Sequence, residues 1–186
     1  MASIASALRD SLSSVVSGAG DVVGTVTKVS KDTVVNTLKA GGDVATTSLD
    51  TVGDMVSEGV KVTSEMGISA AQGVSGLVGG VIEGVQEVGG DVGSTAMKAT
   101  HGALKAAGDL GDDLAEVAVS AVGGAIDAAK SIGGDIAEIA KNAVMGTLEA
   151  ADEIGSEAGG IVRKALLSAA ALPHDIIDAL LTGETG

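Results

Sequence analysis

The chain contains no Phe, Tyr, Trp or Cys, and its one proline is Pro173. Aromatic rings supply much of the area that ordinary cores remove from water. Here the interior has to come from Val, Ile, Leu, Met and Ala, which favours thin elements in close approach. Absence of Cys excludes disulfides and thiolate metal sites. Cations are also scarce: 11 Lys and Arg stand against 25 Asp and Glu, a net charge of −14. Nucleic acid is bound through Lys and Arg neutralising phosphates, so no nucleic-acid partner is expected, and attachment to acidic lipid headgroups is disfavoured for the same reason. The opening MASIASALRDSLSSVV has no basic n-region, which argues against a secretory signal peptide, and Ala2 breaks the myristoylation pattern. A cytoplasmic protein is expected, with peripheral membrane association as the variant. The longest uncharged stretch, residues 66–82, is diluted by Gly, Ser and Gln and sits at the lower edge of membrane-spanning length.

What is abundant is glycine, with 29 residues, and small or branched aliphatics within a 45% hydrophobic composition. Cut from Gly18, the sequence falls into seven gapless rows of 22. The fifth column reads Val22, Val44, Met66, Val88, Leu110, Ile132, Ile154. The twenty-first reads Leu38, Val60, Ile82, Leu104, Ile126, Leu148, Ala170. The fourth is acidic at Asp21, Asp43, Glu65, Glu87, Asp109 and Glu153, and the sixth becomes Gly67, Gly89, Gly111, Gly133, Gly155 from the third row onward. Ile4, Leu8 and Val15 extend the frame backward, so residues 1–17 form a truncated repeat. Repeats therefore occupy 1–171 and a tail occupies 172–186.

Twenty-two is twice eleven, and eleven residues make three helical turns at about 3.67 residues each. Apolar positions recur at steps of four, four and three from Leu77 through Val81, Val85, Val88 and Val92, which is a helical pattern and not strand alternation. The expectation is an all-α protein: one long amphipathic helix of hendecad type, assembling into an oligomeric bundle, rod or tube. Unbroken, it would span roughly 250 Å at 1.5 Å per residue. Folding back at Gly79-Gly80, Gly89-Gly90 or Gly123-Gly124 is the alternative. Each interior Gly costs about 0.8–1.0 kcal/mol relative to Ala, so the helix needs packing partners. Because the glycines keep fixed columns, most are read as sites of close helix approach. The face expected to pack against other copies is Leu77, Val81, Val85, Val88, Val92, Leu110, Leu114, Ile132, Ile136 and Ile154. Its breadth suits four or more helices better than two.

In the tail, Pro173 suits the first turn of a new helix. Ile176, Ile177, Leu180 and Leu181 would give that helix a compact apolar face, which either folds back over the last repeat or docks into a partner groove. His101 and His174 are isolated, with His101 on a polar flank, and neither has metal-site spacing. The Gly-rich pieces GLVGGV and EVGGDVG lack the Lys-Ser/Thr of a phosphate loop. No catalytic residues, metal or cofactor are assigned, and a non-enzymatic protein is expected.

In its aromatic-free, Gly/Ala/Val-rich helical character across most of the chain, the sequence resembles the scaffold and membrane-stalk subunit of mycobacterial high-affinity uptake nickel-iron hydrogenases, without a shared motif. The resemblance implies a homo-oligomeric stalk that tethers hydrogenase units, with an apolar lumen for lipid or quinone. The 22-residue period is also similar to that of perilipins and apolipoproteins, which implies an amphipathic coat on a lipid surface. Those families carry Lys along the flanks of the polar face, and here acid prevails.

Overall fold

A computed structural model describes residues 4–16, 20–40 and 49–182. Asp43 and Val44 of the second row lie outside them. The described residues are all-α, in nine helices: α1 (Ile4–Val16), α2 (Val22–Ala40), α3 (Leu49–Glu65), α4 (Ala70–Glu87), α5 (Val92–Leu110), α6 (Leu114–Ile132), α7 (Ile136–Ile154), α8 (Ser156–Ser168) and α9 (His174–Thr182). The all-α expectation holds. The single continuous helix over 1–171 does not, because among the described residues the helix stops at Gly67, Gly89, Gly111, Gly133 and Gly155.

The break is made by the sixth-column glycine. Gly67, Gly89, Gly111 and Gly133 have φ between 68° and 79°, a left-handed backbone that L side chains resist by roughly 1–2 kcal/mol. At Gly111 the glycine N–H reaches Gly108 O and the next N–H, from Asp112, reaches Ala107 O. This is the Schellman pattern of helix termination. Two residues after each of these glycines a side chain opens the following helix. Ser69, Asp91, Asp113 and Asp135 each accept a hydrogen bond from a first-turn backbone N–H, the N-cap role these residue types favour. The full-length repeat is therefore a helix of 19 residues followed by a turn of three, as in α5 and α6. Of the three Gly-Gly pairs, only Gly89-Gly90 lies in a turn; the other two are inside α4 and α6.

Successive helices run antiparallel: Gly59 of α3 lies against Leu77 of α4, and Gly73 of α4 against Thr63 of α3. Alternate helices run parallel: Gly76 faces Val26 and Gly84 faces Val34. The closest packing joins alternate helices, α2 with α4, α4 with α6, α3 with α5 and α5 with α7. The result is two layers, odd helices in one and even in the other, stacked as a short helical solenoid in which each unit touches its neighbours.

A second glycine column sets the spacing within each layer. Gly80, Gly102, Gly124 and Gly146, each 22 residues apart, lie on backbone of the helix two before: Thr27 O, Gly53 O, Ser75 O and Met97 O respectively. Where no full-length earlier neighbour exists, this column carries Asn36 and Glu58 instead. Between the layers one apolar cluster runs from Leu8 to Ile177, and Val56, Val78, Val122, Val144 and Leu166 of one column are all buried in it. Thr100 interrupts that column. Its buried hydroxyl donates to Ala96 O at 2.9 Å and across to Ala143 O at 3.0 Å, so the polar atom is satisfied. No helix among the described residues is long and apolar enough to cross a membrane.

Gly123 and Gly124 separate the two effects of adding a methyl group. A Cβ on Gly124 would stand 2.5 Å from Ser75 O, whereas nothing lies within 4 Å of one on Gly123. Gly124→Ala is expected to lower unfolding stability by about 1–3 kcal/mol through overpacking. Gly123→Ala is expected to raise it by up to about 1 kcal/mol through helix propensity. Urea titration followed by circular dichroism measures both, and equal effects at the two sites would contradict the backbone contact.

The Asp91 cap predicts an acid dependence. The Ser94 backbone N–H and then its hydroxyl, with a smaller part from the Gly93 N–H, hold the Asp91 carboxyl below the usual aspartate value against a partial burial penalty. A carboxyl depressed in the folded state stabilises above its unfolded pKa and loses that contribution as pH falls through the folded one. Asp91→Asn keeps a cap acceptor and should remove this part of the acid-side slope, which denaturation from neutral pH downward reads.

Candidate interaction surface

The residues expected to pack against other copies divide into two groups. Leu77, Val81 and Val85 are buried inside this chain. They line the inner face of α4, where the packed layers already cover them, so the expectation that they meet another copy is corrected. The other seven occupy the fifth and ninth columns, at the last and first residues of successive helices or, for Val88, just past the end of α4, and so line the two rims of the solenoid. Three of them remain well exposed: Leu110 at 42%, Ile154 at 43% and Ile136 at 37%. Val88, Val92, Leu114 and Ile132 are half-buried against the core.

The tail is corrected likewise. α9 packs on α7 and α8. Ile177 is fully buried, and Ile176, Leu180 and Leu181 rest against the same cluster. The compact face read as a docking element therefore closes the end of the chain's own core. Pro173 does open the helix: its carbonyl accepts from Ile176 and Ile177 N–H.

The rims differ in charge. At one, the odd helices end and the even helices begin. Here the acidic fourth column places Glu65, Asp109 and Glu153 in the last turns of α3, α5 and α7, none of which carries a basic residue in that turn. The negative end of the helix macrodipole disfavours a carboxylate at that position. Asp113, Glu116, Asp152 and Glu157 lie exposed on the same rim. Compensation is sparse: Arg9 pairs with Glu65, and His101 Nε2 lies 3.2 Å from Glu153. Asp109, Asp152 and Glu157 have no ion pair among the described residues. One Asp112 oxygen is buried there without a hydrogen-bond partner among them.

On the opposite rim Asp91, Asp135 and Glu138 are also exposed at the starts of α5 and α7, but the acids at the helix ends there are paired. Glu87 at the end of α4 meets Lys31 at 3.2 Å and Lys39 at 3.8 Å, and Lys130 meets Asp127 at 3.5 Å. The fourth-column residue of α6 is Ser131, not an acid. Back on the acidic rim, where α2 begins, the column has another use: Asp21 precedes the helix and accepts from Gly24 N–H at 2.9 Å.

His101 is more enclosed than its polar-flank position suggested, since α7 packs alongside α5 and brings Glu153 to the ring; its side chain is 20% exposed. It borders a polar groove of about 570 Å³ between α3 and α5, where Lys98 bonds Asp50 at 3.4 Å. A second cleft of about 710 Å³ lies between α1 and the outer side of α2, where the even layer has no earlier helix. His174 stands exposed at the start of α9. Among the described residues no group of three or more His, Asp or Glu could hold a metal ion.

The division between core and rim can be measured. Leu77→Ala should cost about 2–5 kcal/mol of stability, as large-to-small changes in packed cores do, while Leu110→Ser should stay within about 0.5 kcal/mol of wild type. Thermal unfolding of the two variants tests this, and a larger loss at Leu110 would reverse the assignment. Compared with known proteins, the chain matches no family model and no curated protein.

Proposed function

We propose that the protein is a non-catalytic scaffold subunit that joins copies of itself along one rim and tethers a partner protein along the other. The observation that carries this reading is the placement of the exposed aliphatics. Among the described residues, which bury a continuous cluster from Leu8 to Ile177, six large hydrophobics stay exposed. Leu110, Ile136 and Ile154 stand at helix ends on the rims, Val15 borders the α1–α2 cleft, and Met145 and Ile161 lie in mid-helix. Solenoids present such repeated positions as extended binding surfaces.

Charge separates the two roles. Around Ile132 and Ile136 the lysines Lys31, Lys39 and Lys130 pair with Glu87 and Asp127 and leave Asp91, Asp135 and Glu138 exposed, so apposed copies meet less unpaired acid there than on the other rim. A lumen for lipid or quinone, as the hydrogenase-stalk resemblance implies, would then lie between copies, because the small-residue faces within a chain meet at backbone contact.

Light scattering across a concentration series tests the assembly. Wild type should form a stable oligomer that Ile136→Asp reduces to monomer with an unchanged helical spectrum. A monomeric wild type, or an oligomer indifferent to Ile136→Asp, would refute self-assembly at this rim. Mass spectrometry of a solvent extract of the oligomer reads whether lipid or quinone travels with it.

A further inference from the structure

We infer that the acidic rim receives a cationic amphipathic helix, with aliphatic residues about two turns apart resting on Leu110 and Ile154 and with Lys or Arg on the flanks. The inference rests on the scaffold reading and adds the chemistry of the tethered partner.

Leu110 and Ile154 end adjoining parallel helices, and the Ile154 side chain lies over Gly108 of α5. Helices in such contact stand about 8–10 Å apart, and two turns of an α-helix rise about 10.8 Å. A helix crossing the ends of α5 and α7 thus meets one aliphatic residue per two turns. Leu114, half-buried one turn beyond Leu110, widens the apolar strip.

Around that strip Asp109, Asp113, Glu116, Asp152, Glu153 and Glu157 are exposed. Asp109 and Glu153 are held where the helix macrodipole opposes them, and the last turns of α5 and α7 contain no basic residue. The opposite rim lacks this conflict: at its helix ends Glu87 is met by Lys31 and Lys39 and α6 carries Ser131, and its exposed Asp91, Asp135 and Glu138 stand at helix starts, where the macrodipole favours them. An external cation at the acidic rim relieves both the mutual repulsion of the carboxylates and the conflict of Asp109, Asp152 and Glu153 with the ends of α5 and α7. A second copy is the wrong occupant, because apposing two acidic rims would stack carboxylate on carboxylate.

The test uses the full chain and three synthetic helices that share one Leu face and carry Lys, Gln or Glu on the flanks. Fluorescence anisotropy titrations should show the Lys helix binding at least about tenfold more tightly than the Gln helix, and weakening as salt rises. The double variant Leu110→Ser, Ile154→Ser should weaken the Lys helix by about tenfold, with Met145→Ser, an exposed change in mid-α7 away from both rims, leaving it unchanged and circular dichroism the same throughout. Equal binding of the Lys and Gln helices would overturn the charge assignment while leaving a tethering rim in place. Failure of the Lys helix to bind, or binding indifferent to the double variant, would overturn the site. Loss of wild-type self-association in the double variant would overturn it in favour of a second copy. Self-assembly through Ile136 is read separately, so the two proposals fail independently.

Discussion

Helices of the same layer meet backbone to backbone where a glycine on one helix lies on a main-chain carbonyl of the helix two before it, at Gly80, Gly102, Gly124 and Gly146. The contact leaves no room for a Cβ, so the interaxial distance is set by main chain and not by side-chain size. A gap that thin is filled by Ala and Val, as at Ala96, Ala118 and Ala140. An aromatic ring would force the layers apart. The missing Phe, Tyr and Trp and the many glycines are therefore two aspects of one packing solution.

Close packing of alternate helices also demands that the repeat keep its length. Helix and connection together take 22 residues whether the connection spans three, as after α5 and α6, or four, as after α4, so the glycine column recurs every 22 residues. The left-handed glycine ends one helix and a Ser or Asp two positions later begins the next, so termination and initiation are both encoded within the turn. The two glycine populations act oppositely: one stops helices, and the other lets them touch. Each interior glycine gives up about 0.8–1.0 kcal/mol of helix propensity, which the backbone-contact packing has to offset.

The same geometry sorts the surface. Most apolar residues in mid-helix face the other layer and disappear, as Leu77, Val81 and Val85 do, with Met145 and Ile161 left exposed, whereas those flanking the turns reach the rims. Because odd helices all end on one side, a column that is acidic in most rows becomes a ridge of negative charge along that side. On the other side Ser131 and the lysines of α2 relieve that column, and the exposed acids Asp91, Asp135 and Glu138 stand instead at helix starts. Periodicity in the sequence thus becomes polarity of the molecule once the chain folds back on itself.

Much of this was legible in the residues. The 3.67-residue periodicity required helix, the recurring columns required a repeating unit, and the absence of aromatics required close approach. A period of 22, however, fits two objects equally well: six turns of one helix, or 19 helical residues and a fixed turn. A turn of constant length preserves the frame as faithfully as an unbroken helix, so persistence of the register could not choose between them. The pairing of Gly89 with Asp91, Gly111 with Asp113 and Gly133 with Asp135 carried the distinguishing signal, a helix stop followed two residues later by a helix start. Only the tertiary structure decided which apolar residues were consumed internally, because that depends on the partner each face meets. Leu77 and Ile177 meet the chain's own layers, and Leu110 and Ile154, at the ends of their helices, do not.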